Sequence, residues 1–358
     1  MKCTTQTKKE RRDPKLIRLV LLFIFIVSIS GFFACNKSNG GSPPPPPVDS
    51  VDVYVGGIGF PALPLVNSIA ELWKNGKLTK ISDGSKSEYV TGIFVSNKDV
   101  YLAGYVLDLG GFIPKYWKNG VPTIINDMNS FTTGIAVSGN DVYVTGSTTD
   151  PLSSKSSAKY WKNGIAVNLT DTSKYAYASA IFISGNDVYV VGNEDSTIKL
   201  WVNGINRNIS SAPIIGYATS IVVSGNDVYI AGNEIDQTNS KRIAKYWKNG
   251  VGVTLSTGSM YSLATSIFVS GTDVYTAGIE AVTLINVAAR YWKNGNQINL
   301  TDGATQNGLA YAIAVYGSDV YVAGTEGNTA KYWLNGTAVN LPAGGESDQA
   351  NCMFVTKR

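Results

Sequence analysis

Histidine is absent from all 358 residues. That absence excludes a Ser-His-Asp triad, a histidine general base, and zinc, copper or non-haem iron held through imidazole. Catalysis would be left with carboxylate chemistry or a hard metal held by oxygen ligands. Charge is scarce as well, at 16% of residues, and the cysteines are only Cys3, Cys35 and Cys352. What the chain has instead is 37 glycines, 20 tyrosines and 7 tryptophans, the composition of a turn-rich, aromatic β protein.

The first 18 residues carry Lys2, Lys8, Lys9, Arg11, Arg12, Lys15 and Arg18, and an apolar run from Leu19 to Ala34 follows. A basic start, a short apolar stretch and a small residue at its end form an export signal. The competing reading, a transmembrane anchor, needs about 20 apolar residues. The ending Gly31-Phe32-Phe33-Ala34-Cys35 resembles a bacterial lipobox, departing from it at Phe32, and implies cleavage after Ala34 and a lipid on Cys35. Residues 1–34 are thus expected to be a signal peptide. Residues 35–50, rich in Ser and Gly and containing Pro43 to Pro47, read as an extended spacer.

Removing the leader's seven basic and two acidic residues from totals of 30 and 26 leaves 23 basic against 24 acidic. The basic pI therefore belongs to the export signal and gives no argument for nucleic acid. With Cys3 removed and Cys35 lipidated, Cys352 is the one remaining thiol, and in an apolar strand it reads as a small core residue.

The rest of the chain repeats. Asp-Val-Tyr recurs at Asp52, Asp99, Asp141, Asp187, Asp227, Asp273 and Asp319, and all seven tryptophans (Trp73, Trp117, Trp161, Trp201, Trp247, Trp292 and Trp333) are followed two residues later by Asn-Gly. In the fourth copy, strand A is Ser179–Ser184, strand B Asp187–Gly192, strand C Ile198–Trp201 and strand D Ile205–Ser210, with Gly185-Asn186 and Asn203-Gly204 as tight hairpin turns. Apolar residues on both alternating faces require burial on both sides, which a radial stack of four-stranded blades provides. A linear solenoid is the rival and would need capping units at its ends. The first copy instead starts directly at strand B, and Ala350–Thr356 supplies one strand A with nothing after it. The expected fold is all-β: a seven-bladed β-propeller over residues 51–358, its ring closed by pairing of Ala350–Thr356 with Asp52–Gly56.

Over that span the chain resembles bacterial extracytoplasmic lipoproteins built from seven-bladed propellers, and Val142-Tyr143-Val144-Thr145-Gly146 is faintly similar to the YVTN repeat. The resemblance implies a location in the bacterial cell envelope, at the outer membrane or cell surface, and leaves binding modules, hydrolases, lyases and oxidoreductases all open. Galactose-oxidase-like chemistry falls with the missing histidines, and neither an Asp box nor a quinoprotein signature is present.

Tight A-to-B and C-to-D turns occupy one face of the disc, so the variable B-to-C and D-to-A segments on the other face, and the channel mouth there, are the place for a ligand. Counting outward from the Gly185-Asn186 turn sets Tyr177 opposite Glu194, and the same count sets Tyr217 opposite Glu234. Glu280 and Glu326 recur opposite Leu263 and Leu309, while Tyr89 and Phe131 stand opposite Val106 and Thr148. One reading is a crescent of carboxylates and aromatic rings suited to a cation, a sugar or a basic peptide. The other is a set of ordinary cross-strand pairs with solvated acids. Asn193-Glu194-Asp195 and Asn233-Glu234 with Asp236 offer oxygens for calcium without EF-hand spacing, so no cofactor is expected.

The Asp of each Asp-Val-Tyr reads as a turn cap, each Trp as core between blades, and the Lys or Arg two residues before it as a snorkelling edge residue, replaced by Glu71 in the first copy. The functional expectation is a monomeric, membrane-anchored binding module for a glycan, peptide or envelope protein. A carboxylate-dependent hydrolase or lyase and a purely structural envelope protein are the alternatives.

Overall fold

The computed structural model describes residues 51–62, 67–108, 110–207, 209, 213–256 and 261–358. Cys35, the leader and the spacer lie outside the described residues. Among those described, 28 strands form seven four-stranded antiparallel sheets. No helix among them is long and apolar enough to cross a membrane.

Six sheets are built from consecutive strands. The seventh has the order Ser347–Lys357, Val51–Phe60, Ile69–Lys74, Lys77–Lys80. The C-terminal strand therefore completes blade one, pairing Asp52 with Thr356 and Gly56 with Cys352 and continuing to Phe60 with Ser347. The seven A strands neighbour one another in a closed circuit, the last against the first complete one (Ser87–Ser96). In blade four the strands are Ala176–Ser184, Asp187–Glu194, Thr197–Val202 and Ile205–Arg207. The first three are longer than the sequence pattern indicates.

Blades adhere through apolar layers, and each tryptophan is at most 2% exposed. Trp161 packs with Tyr101, Ile125, Ile135 and Val144, which come from blades two and three. Trp73, Val53, Val55 and Met353 of blade one pack on Tyr321, Ala323 and Tyr332 of blade seven, so closure buries a core as well as forming a hydrogen-bond ladder. Cys352, on the same closing strand, packs instead with Val90, Leu102 and Trp117 of blade two, and burial pushes its thiol up to about 12, the behaviour of an inert core residue.

Hydroxyl and amide side chains stitch the inner strands together. Thr133 donates to the Ala178 carbonyl (2.9 Å), Thr219 to Ala264 (2.7 Å) and Thr265 to Ala310 (2.7 Å), each reaching the next blade. Asn351 makes the equivalent bond across the seam, to the Val90 carbonyl (3.1 Å). On the tight-turn face, Asp99 accepts from the Asn119 amide (2.7 Å) and pairs with Lys118 (2.8 Å), while the Asn119 side-chain oxygen accepts from the Val100 N–H. The repeated aspartate thus clamps the C-to-D turn to the start of strand B.

Candidate functional site

The pairings that the turn count gives are off by one at the channel mouth. Ile181 faces Val190 as counted, but the register shifts between Ala178 and Ala180. Tyr177 therefore stands opposite Asn193, and Glu194 opposite Ala176. The same shift puts Tyr217 opposite Asn233 and Glu234 opposite Gly216, Glu280 opposite Ser262, and Glu326 opposite Gly308. Tyr89 meets Tyr105, and Phe131 meets Ser147.

The cause is a bulge in every strand A, and the reason each blade tolerates it is the glycine five residues after the repeated aspartate. A Cβ on Gly192 would sit 1.9 Å from the Tyr177 carbonyl oxygen, and one on Gly146 would sit 2.0 Å from that of Phe131. Only glycine leaves room for the bulged strand's carbonyl.

A bulge moves neighbouring side chains to opposite faces, so each Tyr-Glu pair is broken up. The glutamates take cationic partners instead. Glu194 binds Lys174 and Glu234 binds Lys245, Glu326 lies 2.6 Å from Lys331, and Glu280 lies 3.5 Å from Arg290. In blade two the acid moves to strand A, where Glu88 lies 2.6 Å from Lys115. In blade three Asp127 accepts from both Lys159 and the Trp161 indole at 2.9 Å.

Four of the six cations before the tryptophans are consequently internal, while Lys199 and Lys245 are half-buried. Lys115, Lys159, Arg290 and Lys331 are 5 to 8% exposed, against the expectation of snorkelling edge residues. They point inward because each meets a buried or half-buried carboxylate, which offsets the cost of desolvating the charge. Glu71, at this position in blade one, is completely buried.

With the acids neutralised, the aromatic residues form the continuous feature of this face. Tyr89 stacks on Tyr105 with centroids 4.8 Å apart, and Tyr105 meets the edge of Phe112 at 5.5 Å. Phe112 approaches Phe131 (6.4 Å), which approaches Tyr177 (6.5 Å). The arc so crosses blades two, three and four. In blade five the Arg242 guanidinium lies over Tyr217 at 5.2 Å and over Tyr261 at 5.8 Å. Tyr89, Phe112, Phe131, Tyr177, Tyr217 and Tyr261 are all half-buried, which leaves part of each available to a ligand. Burial raises the Tyr177 phenol, so it stays neutral at physiological pH.

Tyr177 and Tyr217 thus remain in a candidate site, whereas Glu194, Glu234, Glu280 and Glu326 serve in ion pairs beside it. Phe112 and Arg242 were missed, and their signal was their place at the start of strand C after variable segments. Exposed apolar residues extend the same face: Leu107, Met128 and Leu152 around blades two and three, and Val282, Leu284 and Ile285 in blade six. Among the described residues no group of three or more acidic or cysteine side chains is placed to hold a metal.

No protein-family model matches the chain, and no curated protein matches it in sequence. Solved structures match in shape. A puromycin-hydrolysing peptidase of Mycobacterium tuberculosis aligns with TM-score 0.50 and 8% identity over 80% of this chain and 53% of its own. An acylaminoacyl peptidase of Pyrococcus horikoshii gives 0.48 and 10% over 84% and 52%. TolB from Acinetobacter baumannii gives 0.45 and 10% over 84% and 66%. The chain spans about half the length of the two peptidases. At such identities the likeness is one of fold: the chain is a seven-bladed β-propeller, as its own sheet topology shows.

Proposed function

We propose that this chain is a non-catalytic binding module, displayed on the bacterial cell envelope through a lipid on Cys35, whose aromatic face takes a glycan. The observation that carries this reading is the arc from Tyr89 and Tyr105 through Phe112 and Phe131 to Tyr177. Tyr89, Phe112, Phe131 and Tyr177, half-buried on rigid strands and backed by the buried Tyr105, present flat apolar surface with little ordering cost, and the C–H faces of sugar rings fit such surface. Ion pairing supports binding over hydrolysis, because a glycosidase needs two carboxyl groups facing one cleft and these glutamates each engage a separate cation.

An array of envelope and extracellular polysaccharides tests the proposal. The wild-type protein is expected to retain a subset of them, and Phe131→Ala/Tyr177→Ala to lose at least about tenfold in affinity, the loss of roughly 1.4 kcal/mol of stacking. Retention of no glycan by the folded wild type, or equal retention by the double variant, refutes it. The anchor is tested separately: metabolic labelling with a fatty acid should mark the wild type and leave Cys35→Ser unlabelled.

A further inference from the structure

Blade one reverses the charge pattern of the other blades. Glu71 stands two residues before Trp73, where Lys115, Lys159, Lys199, Lys245, Arg290 and Lys331 stand before their tryptophans. Asp348 pairs with Gly59 two steps beyond the Gly57–Ala350 pair, just as Glu88 pairs with Val106 two steps beyond Gly104–Val90. Asp348 therefore occupies the strand-A position of Glu88. In blade two that acid meets the Lys115 ammonium at 2.6 Å; in blade one it faces a second acid. Gly59 holds the strand-B position filled by Glu194, Glu234, Glu280 and Glu326 in blades four to seven.

The two carboxyl groups converge. A Cβ on Gly59 would lie 2.6 Å from Glu71 Oε1 and 2.9 Å from Asp348 Oδ1, and one on Gly344 would lie 1.8 Å from Glu71 Oε1. Both glycines thus keep a space clear around these oxygens. Glu71 is 0% and Asp348 2% exposed. Both oxygens of Glu71, and Oδ1 of Asp348, are buried without a hydrogen-bond partner, while Asp348 Oδ2 accepts from the Gly344 N–H at 2.8 Å. The nearby cation, Lys80, faces Glu71 across strands C and D in register, but its side chain is exposed to solvent.

We infer that Glu71 and Asp348 hold a divalent cation, calcium by the chemistry of the donors, which fills the place of the missing ammonium and ties the C-terminal strand to strand C of blade one. Three unpartnered carboxylate oxygens are hard donors that suit calcium or magnesium and do not suit softer metals. Two adjacent buried carboxylates need a compensating positive charge if both are to ionise. A cation at this point couples metal binding to ring closure, since one ligand comes from the last strand of the chain and the other from the first blade.

The test is thermal melting of the full chain after chelation, with and without millimolar calcium or magnesium, alongside calorimetric titration of calcium. Calcium is expected to raise the midpoint of the wild type by about 4 °C at a hundredfold excess over its dissociation constant. Glu71→Gln should lose that response. Glu71→Lys, which restores the arrangement of blade two, should melt as high without metal as the wild type does with it, and should not respond to calcium. An unchanged wild-type midpoint with both ions and no titration heat would overturn the inference and leave a shared proton between the two carboxyls. Asp348→Asn guards against a folding defect in the Glu71 variants: a folded Asp348→Asn protein with the full calcium response would equally overturn it.

Discussion

Replacing Gly192 by alanine probes the bulge that sets the geometry of the channel mouth. The added Cβ would stand 1.9 Å from the Tyr177 carbonyl oxygen and 2.9 Å from the Ala178 Cα, both backbone atoms that cannot rotate away. Restoring an ordinary contact needs a displacement of roughly 1 Å between two central strands. Overpacking of this kind costs about 1–3 kcal/mol, and a backbone obstacle puts it at the upper end. Gly185→Ala is the control. Gly185 lies in the A-to-B turn at φ 58° with nothing within 4 Å of an added Cβ, so only the left-handed conformation is penalised, at about 1–2 kcal/mol. Equilibrium denaturation should show Gly192→Ala the more destabilised by about 1 kcal/mol or more, with near-UV dichroism of the aromatic arc altered in Gly192→Ala alone. If Gly192→Ala were no worse than Gly185→Ala, the steric account of the bulge would be wrong.

Two other outcomes follow from the seam. Deleting residues 347–358 strips Ala350 and Met353 from the cluster with Val53, Val55 and Trp73, and Cys352 from the one with Tyr54, Val90 and Leu102, and should abolish cooperative unfolding and protease resistance; a truncated chain that melts like the intact one contradicts closure. Asp52 concerns acid stability. Burial raises its carboxyl, but hydrogen bonds from Asn75 (2.8 Å), Lys74 (3.0 Å) and Arg358 (3.0 Å) outweigh this and hold it well below the usual carboxylate range. A depressed folded value stabilises the protein fully above the ordinary pKa near 4, and that stability is lost as pH falls towards the folded value. Asp52→Asn should therefore be less stable than wild type at pH 7, with the gap narrowing between about pH 4 and pH 2. A constant gap over that range would show that the aspartate's charge is not what stabilises the seam.

The sequence made the blades legible because both landmarks of the repeat are structural: Asp-Val-Tyr begins strand B, and the tryptophan is buried between blades. The unpaired first and last strands revealed the closure for the same reason. The site was legible in part. Tyr177 joins the aromatic arc and Tyr217 lies under the Arg242 guanidinium, but counting from a two-residue turn assumes an unbroken ladder, and the bulge before Ala180 shifts every pair beyond it. The missed signal was in plain view, since Gly57, Gly104, Gly146, Gly192, Gly232, Gly278 and Gly324 recur at one place in strand B, and an isolated strand glycine marks a close backbone approach. Glu71 stood out as the exception among six cations, yet its meaning depended on Asp348, which only the bulged register of the closing strand brings beside it.

Binding of a glycan by the aromatic face is read out by saturation-transfer NMR on the protein with array-selected oligosaccharides. Transfer from protein aromatic protons to the sugar C–H groups is expected in the wild type and should collapse in Phe131→Ala/Tyr177→Ala, with Glu194→Gln and Glu234→Gln unaffected. Transfer that survives loss of both rings but disappears with the glutamates would contradict it.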